Sequence, residues 1–506
     1  MDPCIVETKY GAVKGECRDG VFVWRGIPYA AAPEGENRFK APLPPDRWEG
    51  VRDALEFGHS CPQGGRSRKR AVIRYMSENC LSLNIWSPAV SLQNGETLEK
   101  PTNKPVFVYI HGGTFIEGAG SDAEYEGTKL ANEGDIILVT VNYRMGVLGF
   151  MDFSFLGDGF LPNCGLRDLS MALKWVYENI ESFGGDKNNI TIGGQSAGAS
   201  CAAVLTMFDD VRPFIKRVIM MSGVPTLLFT REESEKIAKM YMEYMDIDSS
   251  EALITASEMS LAGRQSEFAG DTRLGAAAFG ICVDGELVKQ FLIPAASEGK
   301  MSGIPMLFGT TREEMSFALK KSLAHIVDIE TLRKTGNAAE SDEVKARILE
   351  SYKRYGKRGE AIMFSDFSFR LPAMWFAEAQ SKYADTWMYR FDYETFGMRI
   401  TDLHAFHSCD VPFLFGNFKA GLARYMVILS PVKTGIKKVH HEFRGDLLAF
   451  IKTGELPWEK CNGKDAPAKC YALPSHVEQA VPDDVKEAYE VTEYRRRSFS
   501  GNSIEL

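Results

Sequence analysis

The 506-residue chain has no apolar run that approaches the roughly 20 residues of a membrane-spanning helix. The strand-like run "IILV" (136–139) falls far short. Nor is there an excess of basic charge. Lys and Arg number 59 against 68 Asp and Glu, a net charge of −9. A phosphate backbone needs a basic footprint, so this balance argues against a nucleic-acid partner. The basic clusters "RSRKR" (66–70) and "RRR" (495–497) are local and read as a solvated loop and a tail. No two of the 10 cysteines have the C-x-x-C spacing of a zinc site. The opening "MDPCIVETKYG" carries an acidic residue and a proline where a secretory signal needs a charged and then an apolar segment. A cytoplasmic protein with reduced thiols is expected. There is no internal repeat and no low-complexity linker.

What is present is alternation. Residues 4–24 read as a small β-meander, with "CIVETKYG", "AVKGEC" and "VFVWRGI" broken at Gly11 and at Asp19-Gly20. Beyond a proline-rich stretch, "PVFVYI" (105–110) and "DIILVTVNY" (135–143) are continuous apolar runs, the mark of strands buried on both faces. "LSMALKWVYENIESF" (169–183) has helical period. "NNITIGG" reads as a strand and "AGASCAAVLTMF" (197–208) as the helix it enters. "RVIMMS" (217–222), "IPMLFG" (304–309) and "WMYRFDY" (387–393) are further strands, and "HEFRGDLLAFIKTG" (441–454) is a helix stopped by Gly454. Strands alternating with helices predict a doubly wound, mostly parallel α/β sheet with antiparallel strands at one edge. Helical insertions around 230–300 and 318–385 are expected to cover its active end within one domain, 1–506.

Within this frame, Gly194-Gln195-Ser196-Ala197-Gly198 fits G-x-S-x-G between a strand and a helix. That context predicts a sharp turn presenting Ser196 Oγ at the sheet's carboxyl edge. Large side chains at the two glycine positions would collide with such a turn. A second strand closes in "YIHGGTF" (109–115). There Gly112 and Gly113 offer unencumbered N–H groups which, with that of Ala197, form a candidate oxyanion hole. His111 reads as an anchor of this loop. A serine needs a base, and "DLHAFHSCDVPFLFG" (402–416) offers His404 and His407. The orienting acid belongs on the loop after an intervening strand. "IPMLFGTTREEMSF" (304–317) supplies Glu313 and Glu314, whereas Asp410 follows the histidines, in the wrong order. Phe115 and Phe317 are candidate pocket aromatics, though packing is the commoner role for such residues.

These motifs, with "GVFVWRGIPYAAAP", "SENCLSLNIWSP", "VTVNYRMGVLGF" and "MYRFDYET", make the chain resemble the type-B carboxylesterase/lipase family of α/β-hydrolases. It looks most like bacterial para-nitrobenzyl esterases, with cholinesterases as distant relatives. The resemblance covers nearly the whole chain. It implies an α/β-hydrolase fold and a serine carboxylesterase acting through an acyl-enzyme intermediate. Ser196, His407 and Glu314 would form the triad. Gly112, Gly113 and Ala197 would be the oxyanion donors, with Ser222 as a supporting hydroxyl. It implies a small-molecule ester substrate and no metal or organic cofactor; the oligomeric state is left open. Cys61 and Cys80 match positions that are disulfide-bonded in secreted relatives. Three departures stand out. Gln195 replaces the usual glutamate before the nucleophile, Asn79 replaces an aspartate, and "LRDLS" lacks a customary glutamine. The same triad could cut amides, carbamates or feruloyl esters. A non-catalytic binding module is the rival reading, since adhesion proteins of this fold have lost the serine.

Overall fold

The computed structural model describes residues 2–64, 75–91, 98–270, 278–317, 340–421, 423–428 and 434–501. Its centre is an 11-stranded sheet. In chain order the strands are β1 (Glu16–Arg18), β2 (Val21–Pro28), β3 (Ser82–Pro88), β4 (Lys104–Ile110), β5 (Ile137–Val141), β6 (Gly185–Gln195), β7 (Ile215–Met221), β8 (Met306–Thr311), β9 (Thr386–Phe391), β10 (Pro467–Tyr471) and β11 (His476–Gln479). Their spatial order is β11-β10-β9-β8-β7-β6-β4-β5-β3-β2-β1. Pairing is parallel from β10 through β5 and antiparallel at both margins.

Of the middle strands, β4 from Val106 and β5 are nearly continuous apolar runs because both faces are covered. Along β4, Val106, Val108 and Ile110 belong to one buried cluster, and Phe107 and Tyr109 to the other. Five helices matter below: α1 (Cys164–Asn179), α2 (Ala197–Leu205), α3 (Gly359–Ser365), α4 (Leu371–Gln380) and α5 (Thr434–Thr453). Both α1 and α5 begin earlier than their apolar periodicity predicts, because a glycine in each first turn, Gly165 and Gly435, weakens the helix signal there. Among the described residues no helix is long and apolar enough to cross a membrane.

Two expectations need correction. The N-terminal meander is not one sheet. Gly11–Lys14 pairs with Ile5–Thr8 on one side and Val51–Asp53 on the other in a separate 3-stranded sheet, and only β1 and β2 join the main one. The division falls at Gly15, where any Cβ would press on Val23 O and the Trp24 ring. Likewise "RRR" is no tail. It lies in a helix, Glu493–Ser500, capped by Thr492, with Arg496 paired to Glu493 at 2.6 Å. The "RSRKR" cluster and most of the segment 318–340 fall outside the described residues.

Candidate active site

Adjacent parallel strands β4, β6, β7, β8 and β9 all end at one edge of the sheet. They lead in turn to Gly112 and Gly113, Ser196, Ser222, Glu314 and, after a longer loop, His407. Open α/β sheets bind ligands at this edge.

Ser196 joins β6 to α2 with φ 57° and ψ −125°, a conformation that costs a non-glycine residue free energy and persists only when its surroundings enforce it. Here they do. The Ser196 N–H donates to Met221 O at 2.8 Å, and Ser196 O accepts from the Ser200 N–H at 3.1 Å. A Cβ at Gly194 or at Gly198 would drive into Ile110 O, and one at Gly112 would lie 2.5 Å from Gln195 O and 3.2 Å from Ser196 Cβ. Glycine is needed at these places because the end of β4 and the serine turn touch backbone to backbone. Ala197 opens α2 directly after the serine. Gly113 has φ 123°, and a Cβ there would strike Glu117 O.

Glu314 is fully buried. Its Oε1 accepts from Ser222 Oγ at 2.7 Å and from the Thr311 N–H at 2.6 Å, and its Oε2 lies 2.6 Å from His407 Nδ1. The His407 N–H donates to Glu314 O at 3.2 Å. A carboxylate at Nδ1 holds that nitrogen's proton, which leaves the lone pair on Nε2. The Gln195 side-chain amide meets this lone pair at 2.9 Å. Phe369 packs on the imidazole with ring centroids 4.9 Å apart.

The other candidates lie elsewhere in the network. His404 is engaged by Glu394 at 3.3 Å and Asp402 at 3.0 Å. Glu313 is buried and paired with Arg358, which also reaches Glu394 at 2.6 Å. Asp410, also buried, accepts from Tyr389 Oη at 2.8 Å, and burial pushes its carboxyl up to about 6. His111 contacts Gly112 O through Nδ1 at 2.9 Å and stacks on Tyr143 at 4.7 Å; burial pushes it down to about 4. Phe115 is 2% exposed and packs against Phe150 at 4.8 Å, whereas Phe317 is half-buried. Cys61 and Cys80 are buried free thiols, and Cys61 Sγ accepts from the Met145 N–H at 3.2 Å.

Among the described residues, two side-chain triples place potential metal-ligand atoms within 4.8 Å of one another: Glu313, Glu394 and His404, and Cys470, His476 and Glu478. The guanidinium of Arg358 already bridges the two carboxylates of the first. In the second, Arg390 holds Glu478 at 2.6 Å. Phe369 and Thr311 are site neighbours the sequence reading did not single out. The first sits in a helix far along the chain, and the second acts through its backbone, so neither has a local signature.

The Carboxylesterase family profile matches residues 2–467. The chain belongs to the Carboxylesterase family. Like other members it is a carboxylic ester hydrolase of the α/β-hydrolase fold. It is 36% identical over 465 residues to a para-nitrobenzyl esterase of Bacillus subtilis, covering 90% of this chain and 91% of that protein. A thermophilic para-nitrobenzyl esterase structure superposes with a TM-score of 0.85 at 32% identity, covering 96% of this chain and 99% of the other. A Geobacillus stearothermophilus carboxylesterase gives 0.83 at 33% identity, over 96% of this chain and 100% of that one. The expectations of an α/β-hydrolase fold and of esterase chemistry are thus met.

Proposed function

We propose that this carboxylesterase cleaves esters through a Ser196–His407–Glu314 triad and an acyl-enzyme. The 2.6 Å contact between Glu314 Oε2 and His407 Nδ1 carries the reading. It fixes the imidazole so that Nε2 faces the turn bearing Gln195 and Ser196. His407 Nε2 takes the proton of Ser196 Oγ as that oxygen attacks the ester carbonyl. For this the Gln195 amide yields the nitrogen it holds in the resting site. The N–H groups of Gly112, Gly113 and Ala197 receive the oxyanion, aided by the N-terminal end of α2. His407 then protonates the departing alcohol. Water adds to the acyl-enzyme by the same proton path reversed, and the acid is released.

The Glu314 carboxylate steadies the imidazolium. Ser222, donating to its other oxygen, holds the carboxylate in the plane the imidazole needs. The half-buried Phe317 is the better of the two candidate pocket aromatics, because Phe115 is spent on packing. The whole chain, 1–506, acts as one catalytic domain on small esters, with nitrobenzyl and nitrophenyl esters as the first substrates to assay.

The experiment is Ser196→Ala. Turnover of a para-nitrophenyl ester is expected to fall by about 10⁶-fold. Fluorophosphonate labelling should vanish while the melting curve is retained. A folded Ser196→Ala protein that still turns over substrate and still labels overturns the assignment.

A further inference from the structure

Between α3 and α4 the chain does not break. Asp366–Arg370 forms a π-helical turn that joins them, closed by a hydrogen bond from the Leu371 N–H to Asp366 O. Pro372 explains the widening. It has no N–H to give the carbonyl four residues back, and its ring crowds that carbonyl. Single π-turns are frequent at functional sites, and this one brings two consecutive side chains to the triad and to the loop that carries its acid. Phe369 lies on His407.

Arg370, 3% exposed, reaches the turn that precedes Glu314. Its Nη2 donates to Thr311 O at 2.9 Å and to Arg312 O at 2.8 Å, and its Nε donates to Thr310 Oγ1 at 3.3 Å. Thr311 is the residue whose N–H grips the Glu314 carboxylate at 2.6 Å. On the far side of Glu314, the Met315 N–H donates to Ser365 Oγ at 3.2 Å, from the end of α3. One helical stretch therefore holds the acid from both flanks.

We propose that Arg370 is a positioning residue for ester hydrolysis. It locks the backbone that presents Glu314 to His407, and its buried positive charge disfavours protonation of that pair. The proposal rests on the triad reading above. A planar guanidinium suits two successive carbonyls, which a lysine ammonium cannot fork. Carbonyl capping alone would not need a buried charge, and a buried charge acts on its neighbours at close range.

The charged and titratable groups around Arg370 are Asp366 on its own turn, Glu314 after β8, Arg390 and Asp392 at the end of β9, and Tyr352 from the helix Asp342–Tyr352. Arg390 and Asp392 neutralise each other through two bonds of 2.7 Å, and Tyr352 Oη donates to Asp366 Oδ2 at 2.8 Å. Asp366 pairs directly with Arg370. Those around His407 are Glu314 and Asp410, beside the uncharged Gln195 and Phe369. Burial lowers the Arg370 guanidinium only to about 10, so it stays charged through the working pH range.

The test is the pH profile of kcat/KM for a para-nitrophenyl ester. It compares the intact enzyme with Arg370→Met, Arg370→Lys and Asp366→Asn, using Ser196→Ala as the blank. Arg370→Met is expected to lower kcat about 10- to 100-fold with little change in KM. Its acid limb should move to higher pH by about half a unit to one unit, because the charge opposing imidazolium is gone. Arg370→Lys keeps the limb in place while losing part of kcat. Asp366→Asn moves the limb the opposite way, since the guanidinium loses its counter-charge. If Arg370→Met does not fold, the other two variants decide.

A stationary acid limb in Asp366→Asn and in every folded arginine variant, or full kcat in Arg370→Lys and Arg370→Met, overturns the proposal. That failure is distinct from failure of the triad, which a still-active Ser196→Ala protein would reveal.

Discussion

The two halves of the site are built by opposite means. On the nucleophile side, position comes from side chains that are absent. Gly112, Gly194 and Gly198 let β4 and the serine turn touch backbone to backbone, and Ser196 is held in a strained conformation by main-chain bonds. On the acid side, position comes from side chains that are present. The Ser222 and His407 side chains engage the Glu314 carboxylate beside the Thr311 main-chain N–H, while the Arg370 and Ser365 side chains hold the loop it sits on. A backbone contact tolerates no added atom, whereas a hydrogen-bonded carboxylate loses one partner at a time. The first half should therefore fail abruptly and the second by degrees.

The most severe way to break this contrast is Gly194→Ala. The nearest atoms its Cβ meets are Ile110 O and the Gly198 backbone, and neither is a side-chain end that can swing away. A loss of about 2–4 kcal/mol in stability and at least about 100-fold in kcat is expected from chemical denaturation and steady-state kinetics. A fully active Gly194→Ala enzyme would mean the turn is more pliable than its contacts indicate.

Asp410 sharpens the comparison from the acid side. Its carboxyl is raised to about 6 by burial, so the folded state binds its proton more tightly than the unfolded chain. The stability this group supplies is complete below about pH 4 and lost as pH rises through about 6. Asp410→Asn removes that dependence. Relative to the unmodified enzyme, the variant should gain up to about 3 kcal/mol between pH 4 and pH 7, read from denaturation midpoints at the two pH values. A difference that stays constant across this range would show that Asp410 titrates normally.

Ser222→Ala is the mildest change. Glu314 Oε1 keeps the Thr311 N–H after the hydroxyl is removed. About tenfold in kcat and about 1 kcal/mol in stability are expected. A loss as large as that of Gly194→Ala would erase the distinction between the two halves.

The same asymmetry governs what could be read before folding. Gly194-Gln195-Ser196-Ala197-Gly198 and "HGG" are short patterns on which local sterics leave a visible mark, and the apolar runs of β4 and β5 show their burial directly. The N-terminal region reads as one meander because the division at Gly15 depends on Trp24 and Val23, whose approach to it is a matter of tertiary packing. Arg370 passed unnoticed because a lone arginine in an apolar helix has no pattern. Its meaning comes from carbonyls about 60 residues away.

Chain order alone was enough for the strand–turn–serine–helix unit, the glycine loop and the alternation that makes a parallel sheet, since each is governed by neighbours within a few residues. Residue chemistry left two glutamates and two histidines open, and family resemblance chose Glu314 and His407. Only the folded chain decided which carboxylate meets which imidazole, which partners hold them, and what packs behind. The reason is physical. A side chain on one β-strand loop finds a partner 93 residues away, as Glu314 finds His407, only when the sheet places their strands side by side.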